Sequence, residues 1–294
     1  MKHDITMVGH ISRDVLVDWQ GKETIGIGGA VVYGSATIAR SGFPVQVLTK
    51  LPASEKEIRK GLLLPKIDWV FQESPAITSI RNVFHTADKE KRDVSLLSRA
   101  RSFRLDDIPD TIAPLFYLAG LFVDEIPDEF ITAMETKAKI AVDAQGVVRR
   151  ALLDGTMKSE EWPRKREMLP HITYFKVDAA EAEILTGSSD REKAARMLHD
   201  WGAKEVMLTF NTEVLICHGD GLLARAPYTN RNNSGRTGRG DTTFSAYLAW
   251  RKEHSVEESV RYAAALCSIK MEHPGVFTQR REDVLERMEK DAGK

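Results

Sequence analysis

Residues 232–250 read NNSGRTGRGDTTFSAYLAW, a glycine-rich turn that runs directly into an apolar segment of helical period. The first N–H groups of a helix have no partner inside the helix, and the helix dipole adds partial positive charge there. Glycines at 238 and 240 let the backbone approach an anion closely, so the stretch predicts a phosphate site at a helix N-terminus. Asp241 falls at the N-cap or in the first turn. The P-loop pattern is excluded, because no Gly-Lys-Ser/Thr follows at the required spacing.

Around this stretch, apolar runs of strand length alternate with segments of helical period. The chain starts with a βαβ pattern at 4–10, 30–40 and 45–50. Further strands are predicted at 115–120, 139–144, 173–177 and 205–210, and further helices at 127–137, 179–186 and 191–201. This alternation predicts an α/β fold with a mainly parallel central sheet covered by helices on both faces. Ligands in such folds collect at the carboxyl ends of the strands.

Two segments, approximately residues 12–27 and 77–98, depart from this alternation of strands and helices. Both alternate with period two around polar turns, which predicts short antiparallel strands that project from the main sheet as a small lid. Because the lid comes from two separated stretches, we expect residues 1–294 to form a single domain. An exposed lid sheet is also a candidate surface for a homodimer.

The composition excludes several classes of protein. The chain has 42 Lys and Arg against 43 Asp and Glu, so the whole-chain charge predicts no nucleic-acid partner. No apolar stretch approaches the roughly 18 residues of a membrane helix, and the N-terminus lacks the apolar core of a signal peptide. We therefore expect a cytoplasmic protein that binds neither nucleic acid nor membrane. Cys217 and Cys267 lack metal-site spacing and are predicted to be buried thiols.

The opening stretch resembles the hallmark of the ribokinase-like, or PfkB, carbohydrate kinases. That hallmark is Asp-Thr-x-Gly-Ala-Gly-Asp at the start of a helix near the C-terminus. Residues 238–241 match its last four positions with Arg239 in place of Ala, whereas Gly235 and Arg236 replace the leading Asp-Thr.

Other motifs agree with this family in consistent order. Gly9 and Asp14 resemble the family's strand-one Gly and the Asp that grips substrate hydroxyls. Gly28 and Gly29 match its N-terminal Gly-Gly, with Tyr33 where many members have Asn. The resemblance spans roughly residues 4–280, and several ordered motifs are stronger evidence than any one alone. It implies a ribokinase-like three-layer sandwich with a small β-lid.

Asp178-Ala179-Ala180-Glu181 is similar to the family's Asn-x-x-Glu segment. The same residues fit a helix capping box, with Asp178 and Glu181 bonding reciprocally to the backbone. In the family, this Glu orients Mg²⁺ through water near the nucleotide phosphates, and we expect both roles for Glu181. Segments 143–149 and 271–277 look most like the branch that contains inositol-type kinases.

The resemblance implies an ATP- and Mg²⁺-dependent kinase that phosphorylates a hydroxyl of a small sugar or polyol. Asp241 would accept the proton of the attacking hydroxyl, and the N–H groups of Gly238, Arg239 and Gly240 would hold the charge on the transferred phosphoryl. The helix N-terminus favours the ionised form of Asp241, which predicts a weak base.

The remaining predicted site residues divide between two ligands. The acceptor would be bound by Asp14, Gly28, Gly29, Tyr33, Arg92, Asp143 and Gln145. The donor side would comprise Asp178, Glu181, Thr209, Asn211 and Arg236. The guanidinium groups of Arg236 and Arg239 either make bidentate phosphate contacts or point to solvent.

The turn after the strand at 205–210 departs from the family. It reads Thr-Phe-Asn-Thr-Glu at 209–213, where members usually carry glycines that approach the nucleotide. Asn211 tolerates positive φ, but Glu213 would repel phosphates if it faced inward, so the choice of phosphate donor stays open.

Two alternative functions stay open as well. A nucleoside kinase of the same family would need an aromatic wall for the base, for which Tyr33, Phe84 and Phe122 are candidates. The second alternative is a non-catalytic sugar or nucleotide sensor on a kinase fold, although the retention of Asp241 argues against it.

Overall fold

The computed structural model of the protein describes residues 2–86 and 91–292. Its strands are β1 (Ile5–Val8), β2 (Ser12–Val17), β3 (Glu23–Gly28), β4 (Val45–Leu51), β5 (Ile67–Glu73), β6 (Thr78–Phe84), β7 (Arg92–Ser98), β8 (Leu115–Leu118), β9 (Lys139–Asp143), β10 (Arg149–Ala151), β11 (Met157–Ser159), β12 (Tyr174–Asp178), β13 (Glu205–Thr209), β14 (Glu213–His218) and β15 (Leu222–Pro227). Its α-helices are α1 (Ala30–Arg40), α2 (Lys56–Gly61), α3 (Glu129–Met134), α4 (Gln145–Val148), α5 (Lys165–Met168), α6 (Ala179–Thr186), α7 (Arg191–Asp200), α8 (Arg239–Arg251), α9 (Val256–Met271) and α10 (Arg281–Ala292).

The main sheet has the order β15-β14-β13-β12-β9-β8-β1-β4-β5. It is parallel from β5 through β13, and β14 and β15 add an antiparallel edge. Side chains of one strand alternate between two buried clusters, one on each face of the sheet. Phe116 packs into one cluster, while the ring of neighbouring Tyr117 meets Phe244 of α8 edge-on at 5.1 Å in the other. The predicted three-layer α/β sandwich is therefore confirmed.

Two helices that begin at the carboxyl end of this sheet, α1 and α8, pack closely on each other. A Cβ at Gly34 would lie within 2.5 Å of the Ser245 hydroxyl, so the absence of a side chain permits this approach. The N-cap of α1 is Gly29, whose φ of 101° lies in the region that favours glycine. The Gly-Gly and Gly-Arg-Gly-Asp motifs are thus brought to one end of the fold.

The lid is a separate sheet of order β3-β2-β6-β7. The pairs β2–β3 and β6–β7 are antiparallel, as predicted, but β2 and β6 pair in parallel. The prediction of antiparallel lid strands was wrong for this pair. Both β2 and β6 follow strands of the parallel main sheet, β1 and β5, and they leave it in the same direction. Residues 87–90 of the predicted lid segment lie outside the described residues.

Two further expectations concern helices and thiols. Within residues 2–86 and 91–292, no helix combines the length and the apolar character needed to span a bilayer. Cys217 and Cys267 are both buried and free, as predicted. The single-domain prediction covers residues 1–294, of which 1, 293 and 294 also lie outside the described residues.

Candidate active site

A cavity of about 420 Å³ lies between the inner face of the lid, the carboxyl ends of β12 and β13, and the start of α8. It is lined by most of the predicted site residues, namely Asp14, Gly29, Tyr33, Arg92, Gln145, Asp178, Thr209, Asn211, Arg236, Gly238, Arg239, Gly240 and Asp241. In the part of the chain that the structure describes, three predicted site residues do not line this cavity: Gly28, Asp143 and Glu181. Two further cationic residues, Arg149 and Lys176, also line it.

The start of α8 has the geometry of an anion site. Its N-cap, Gly238, has a φ of 77°, and a Cβ there would meet the Tyr33 ring at 2.4 Å, so only glycine fits. The Arg239 N–H group was predicted to bind the transferred phosphoryl. In the structure it donates instead to the Arg236 carbonyl at 3.1 Å. The first-turn N–H groups of Gly240 and Asp241 are the donors that a helix start leaves to an anion.

The charge on Asp241 is set mainly by burial, which raises its pKa to about 6 with a further contribution from the carboxylate of Asp143. Lys176, Lys270 and Arg149 oppose this shift. The expectation of a weakly basic Asp241 was therefore wrong, because burial raises the pKa of this carboxyl. A carboxylate with this pKa is a better proton acceptor near neutral pH than an ordinary aspartate.

Lys176 lies beside Asp241 and was missed by sequence reasoning. Its ammonium is 3.0 Å from Oδ1 of Asp143 and 3.6 Å from Oε2 of Glu181. Burial opposes its charge, but these two carboxylates outweigh that effect and raise the pKa of Lys176. A lysine within an apolar strand, two residues before a capping box, was the visible signal.

Asp143 was predicted to bind the acceptor, but the structure assigns it other partners. Its side chain is only 2% exposed, and Oδ1 accepts from Lys176 and from the Gln145 N–H group at 3.0 Å each. Asp143 therefore lies behind the wall, where it neutralises Lys176 and begins the turn that carries Gln145.

Arg236 and Arg239 both line the cavity, as Asn211 and Asp241 do. Each guanidinium donates to Oδ1 of Asn211 at 2.9 Å, so one amide oxygen holds two positive groups side by side. Glu213 does not line the cavity and pairs with Arg191 at 2.9 Å. Glu213 therefore does not face the cavity, so the repulsion predicted for an inward-facing Glu213 does not arise.

The predicted acceptor residues lie at the inner face of the lid. Oδ1 of Asp14 is buried and has no hydrogen-bond partner among the described residues, and burial raises the pKa of this carboxyl. A Cβ at Gly28 would lie 2.3 Å from Oδ2 of Asp14, so Gly28 provides the space for that side chain. Asn82 of β6, also missed by sequence reasoning, lies on the same face. Of the candidate aromatic residues, Tyr33 and Phe84 line the cavity, and Phe122 does not.

Asp178 and Glu181 form the predicted capping box at the start of α6. The Glu181 N–H group donates to Asp178, and the Asp178 N–H group donates to Oε2 of Glu181, both at 2.8 Å. No group of three or more metal-ligating side chains occurs in the part of the chain that the structure describes. Mg²⁺ commonly uses only one or two carboxylates plus substrate phosphates and water, so this arrangement fits the ion only with the donor present.

Comparison with known proteins agrees with this site. The family model described as pfkB family carbohydrate kinase matches residues 4–282. The chain belongs to the PfkB family of carbohydrate kinases. This kinase is 34% identical to a pyrophosphate-dependent kinase in the ribokinase family, solved with a pyrophosphate analog and myo-inositol. The match covers 96% of this chain and 99% of that chain, with a TM-score of 0.88.

Two more distant relatives widen the comparison. Arabidopsis thaliana ribokinase, complexed with ribose and ATP, is 18% identical over 98% of this kinase and 99% of that chain, with a TM-score of 0.73, and shares the fold. A cytidine kinase from Thermococcus kodakarensis is 24% identical over 274 residues, which cover 88% of this kinase and 92% of the relative. The predicted ribokinase-like family, in the branch near the inositol kinases, is confirmed, and the protein is a carbohydrate or polyol kinase.

Proposed function

We propose that this kinase transfers a phosphoryl group from pyrophosphate to a hydroxyl of a myo-inositol-like cyclic polyol. The observation that carries the choice of donor is the convergence of Arg236 and Arg239 on Asn211, beside the start of α8. Paired guanidinium groups and first-turn N–H groups suit a compact, highly charged phosphate chain. The 34% identical relative, a pyrophosphate-dependent kinase, supports the same donor.

The surroundings of this donor side give little support to an adenine site. Phe210 is the aromatic residue nearest Asn211 along the chain, and the Arg191 guanidinium covers its ring at 4.2 Å from the ring centre. The Asn211 amide oxygen is occupied by the two arginines. A donor without a base needs neither group, whereas ATP would need a surface for adenine.

The acceptor half of the proposal rests on the lid. Asp14 and Asn82 present polar groups at the cavity, and an unpartnered carboxylate oxygen is a strong acceptor for a substrate hydroxyl. A polyol carries several hydroxyls on a small ring, which suits this polar wall. The myo-inositol in the complex of the similar kinase supports the same class of acceptor.

In the proposed reaction, the acceptor oxygen attacks one phosphorus atom of the donor and its proton passes to Asp241. The bond from that phosphorus to the bridging oxygen breaks, and orthophosphate leaves. The guanidinium groups of Arg236 and Arg239 and the first-turn N–H groups hold the charge of the transferred and leaving groups. The products are a polyol monophosphate and orthophosphate, and the leaving orthophosphate takes up the proton that Asp241 accepted.

Glu181 is the residue we propose for Mg²⁺, through water. Its Oε2 is engaged by the Asp178 N–H group and lies near Lys176, so Oε1 is the oxygen that would face the hydrated ion. The ion would screen the negative charge of the donor phosphates when it is bound.

The second candidate function is nucleoside phosphorylation, favoured by Tyr33 and Phe84 in the cavity wall and by the similar cytidine kinase. A homodimer through the lid is a further proposal, supported by apolar side chains on the outer face of the lid. A cytoplasmic location stays a prediction.

The test is a matrix of donors and acceptors with Mg²⁺ present. Purified protein is incubated with pyrophosphate or ATP and with myo-inositol, other polyols, pentoses or cytidine, and phosphorylated products are identified by ³¹P NMR and mass spectrometry. We expect inositol monophosphate and orthophosphate from pyrophosphate, and no product with Asp241→Asn. Turnover with ATP but not with pyrophosphate would contradict pyrophosphate as the donor. Preferential turnover of cytidine would favour the nucleoside kinase. Stabilisation by ligands without any product would favour the sensor.

A further inference from the structure

Lys270, near the end of α9, lies in the core beneath the turn Gly235–Gly238, which we name the anion turn. Its side chain is only 1% exposed. The ammonium donates to the carbonyl oxygens of Gly235 and Thr237, and it lies 5.0 Å from the centre of the Tyr33 ring. Backbone carbonyl groups and an aromatic face are groups that bind a cation stripped of its water.

The anion turn is docked tightly on this end of α9. The Gly235 N–H group donates to the Met271 carbonyl at 2.8 Å, and a Cβ at Gly235 would lie 1.9 Å from the His273 carbonyl oxygen. A fully buried ammonium is costly to desolvate, and an apolar side chain would fill the same space without that cost. The position therefore calls for an explanation beyond packing.

The direction of the carbonyl groups provides one. In a trans peptide the C=O group and the following N–H group point in opposite directions, and the described residues contain no cis peptide. Because the Thr237 carbonyl points at Lys270, the Gly238 N–H group points away from Lys270, and Gly238 lines the cavity. The same relation holds for the Gly235 carbonyl and the Arg236 N–H group, which donates to Asn233 at 3.2 Å.

We propose that the Lys270 ammonium is a resident cation that holds the anion turn in its phosphate-binding form, so that no monovalent metal ion is needed there. Lys270 is a positioning residue, because it acts through the turn and does not line the cavity. The inference rests on the phosphate-binding role proposed above for Arg236 and for the start of α8, both of which this turn positions.

The experiment removes the cation and offers a replacement. Wild type, Lys270→Ala and Lys270→Met are assayed with whichever donor the wild type uses, in tetramethylammonium chloride or in Li⁺, Na⁺, K⁺ or NH₄⁺ salts at constant ionic strength. The control is Lys290→Ala, because Lys290 is exposed and pairs with Glu286 on the same helix, α10. Melting temperatures with and without pyrophosphate are measured for every variant and salt.

We expect the kcat of wild type and of Lys290→Ala to be the same in every salt. Lys270→Ala should lose at least about tenfold in kcat in tetramethylammonium and recover in K⁺ or NH₄⁺; removal of a donor that contacts the oxyanion directly costs roughly 10²- to 10³-fold, and Lys270 acts only through the turn. Lys270→Met fills the space and should lose activity without recovery. Activation of the wild type by K⁺, an unchanged kcat in Lys270→Ala, or a loss that no cation restores would each overturn the proposal.

Thermal melting separates this inference from the function on which it rests. If the wild type turns over no substrate, the proposed function fails, but K⁺-dependent stabilisation of Lys270→Ala by pyrophosphate still supports the resident cation. If Lys270→Ala is unfolded in tetramethylammonium, restoration of its melting transition by K⁺ and not by Li⁺ supports the proposal. Absence of that effect in both readouts overturns it.

Discussion

At the scale of single residues, the properties of Asp241 depend more on its neighbours than on its place at the start of a helix. Burial and Asp143 raise its pKa, and the ammonium groups of Lys176 and Lys270 limit that rise. A proton acceptor must be deprotonated to act, and a carboxyl with a raised pKa loses that form at a higher pH than usual. Activity is then present above the folded-state pKa and is lost as the pH falls through it.

The first prediction is an acid limb near pH 6 in the pH dependence of kcat/KM for the acceptor. It is measured in buffers of constant ionic strength, with circular dichroism at each pH to verify that the protein stays folded. An acid limb near pH 4, the ordinary value of an aspartate, would remove Asp241 from the role of base.

The second prediction concerns the paired guanidinium groups. Arg236→Ala and Arg239→Ala should each raise KM for the donor roughly tenfold to a hundredfold, because each removes a charge-assisted contact with phosphate. Arg239→Lys should recover little, since an ammonium keeps the charge but not the planar pair of donors. Arg231→Ala is the matched control, because Arg231 is exposed in the same loop and does not line the cavity. A KM for the donor that stays at the wild-type value in both variants would leave these arginines without a role in binding.

At the scale of elements, the junction between the main sheet and the lid depends on one buried carboxyl group, that of Glu125, whose pKa burial raises to about 8. Glu125 is 0% exposed and accepts from the His10 N–H group at 2.7 Å and from the Leu121 N–H group at 2.9 Å. His10 follows β1 and leads into the lid, and Leu121 follows β8. Glu125 therefore joins the two chain segments that leave the sheet beneath the lid.

The third prediction follows from this junction. Glu125→Ala should lower the free energy of unfolding by about 2–5 kcal/mol, because two buried N–H groups lose their acceptor. Glu125→Gln keeps an acceptor oxygen and should lose less. Urea denaturation measures both, with Glu253→Ala as an exposed control. Equal free energies of unfolding for Glu125→Ala and the control would mean that water accepts the two hydrogen bonds in place of Glu125.

The elements also differ in how far the sequence predicts them. Both ends of α6 were predicted correctly, because the capping box at Asp178 and the C-terminal Gly187 are local signals. The parallel pairing of β2 with β6 was not predicted, because it depends on how β1 and β5 are oriented in another sheet. The motif alone predicts Asp241 as the proton acceptor, whereas no local motif predicts Lys176, whose partners come from 33 residues away in the chain and from the following helix.

At the scale of the whole molecule, the two faces of the lid have different chemistry. The inner face carries Asp14 and Asn82 toward the cavity, and alternation along the strands directs Val15, Ile25 and Leu97 to the outer face. Ile25 is 69% exposed and Leu97 is 53% exposed. Exposed apolar side chains grouped on a sheet commonly mark a contact with another protein, and a second copy of this chain offers the same face in return.

The fourth prediction is that the protein is a dimer in solution and that Ile25→Asp makes it a monomer. An aspartate in an apolar contact would lose its hydration without gaining a partner, so this cost adds to the lost apolar burial. Sedimentation velocity over a range of concentrations measures the change, with Leu222→Asp as a matched control at the distant edge of the main sheet, where Leu222 is 61% exposed. A monomeric wild type, or equal behaviour of the two variants, would contradict the contact. Because one sheet carries both faces, the Ile25→Asp monomer should also show a raised KM for the acceptor, since the lid loses the partner that holds its inner face over the cavity.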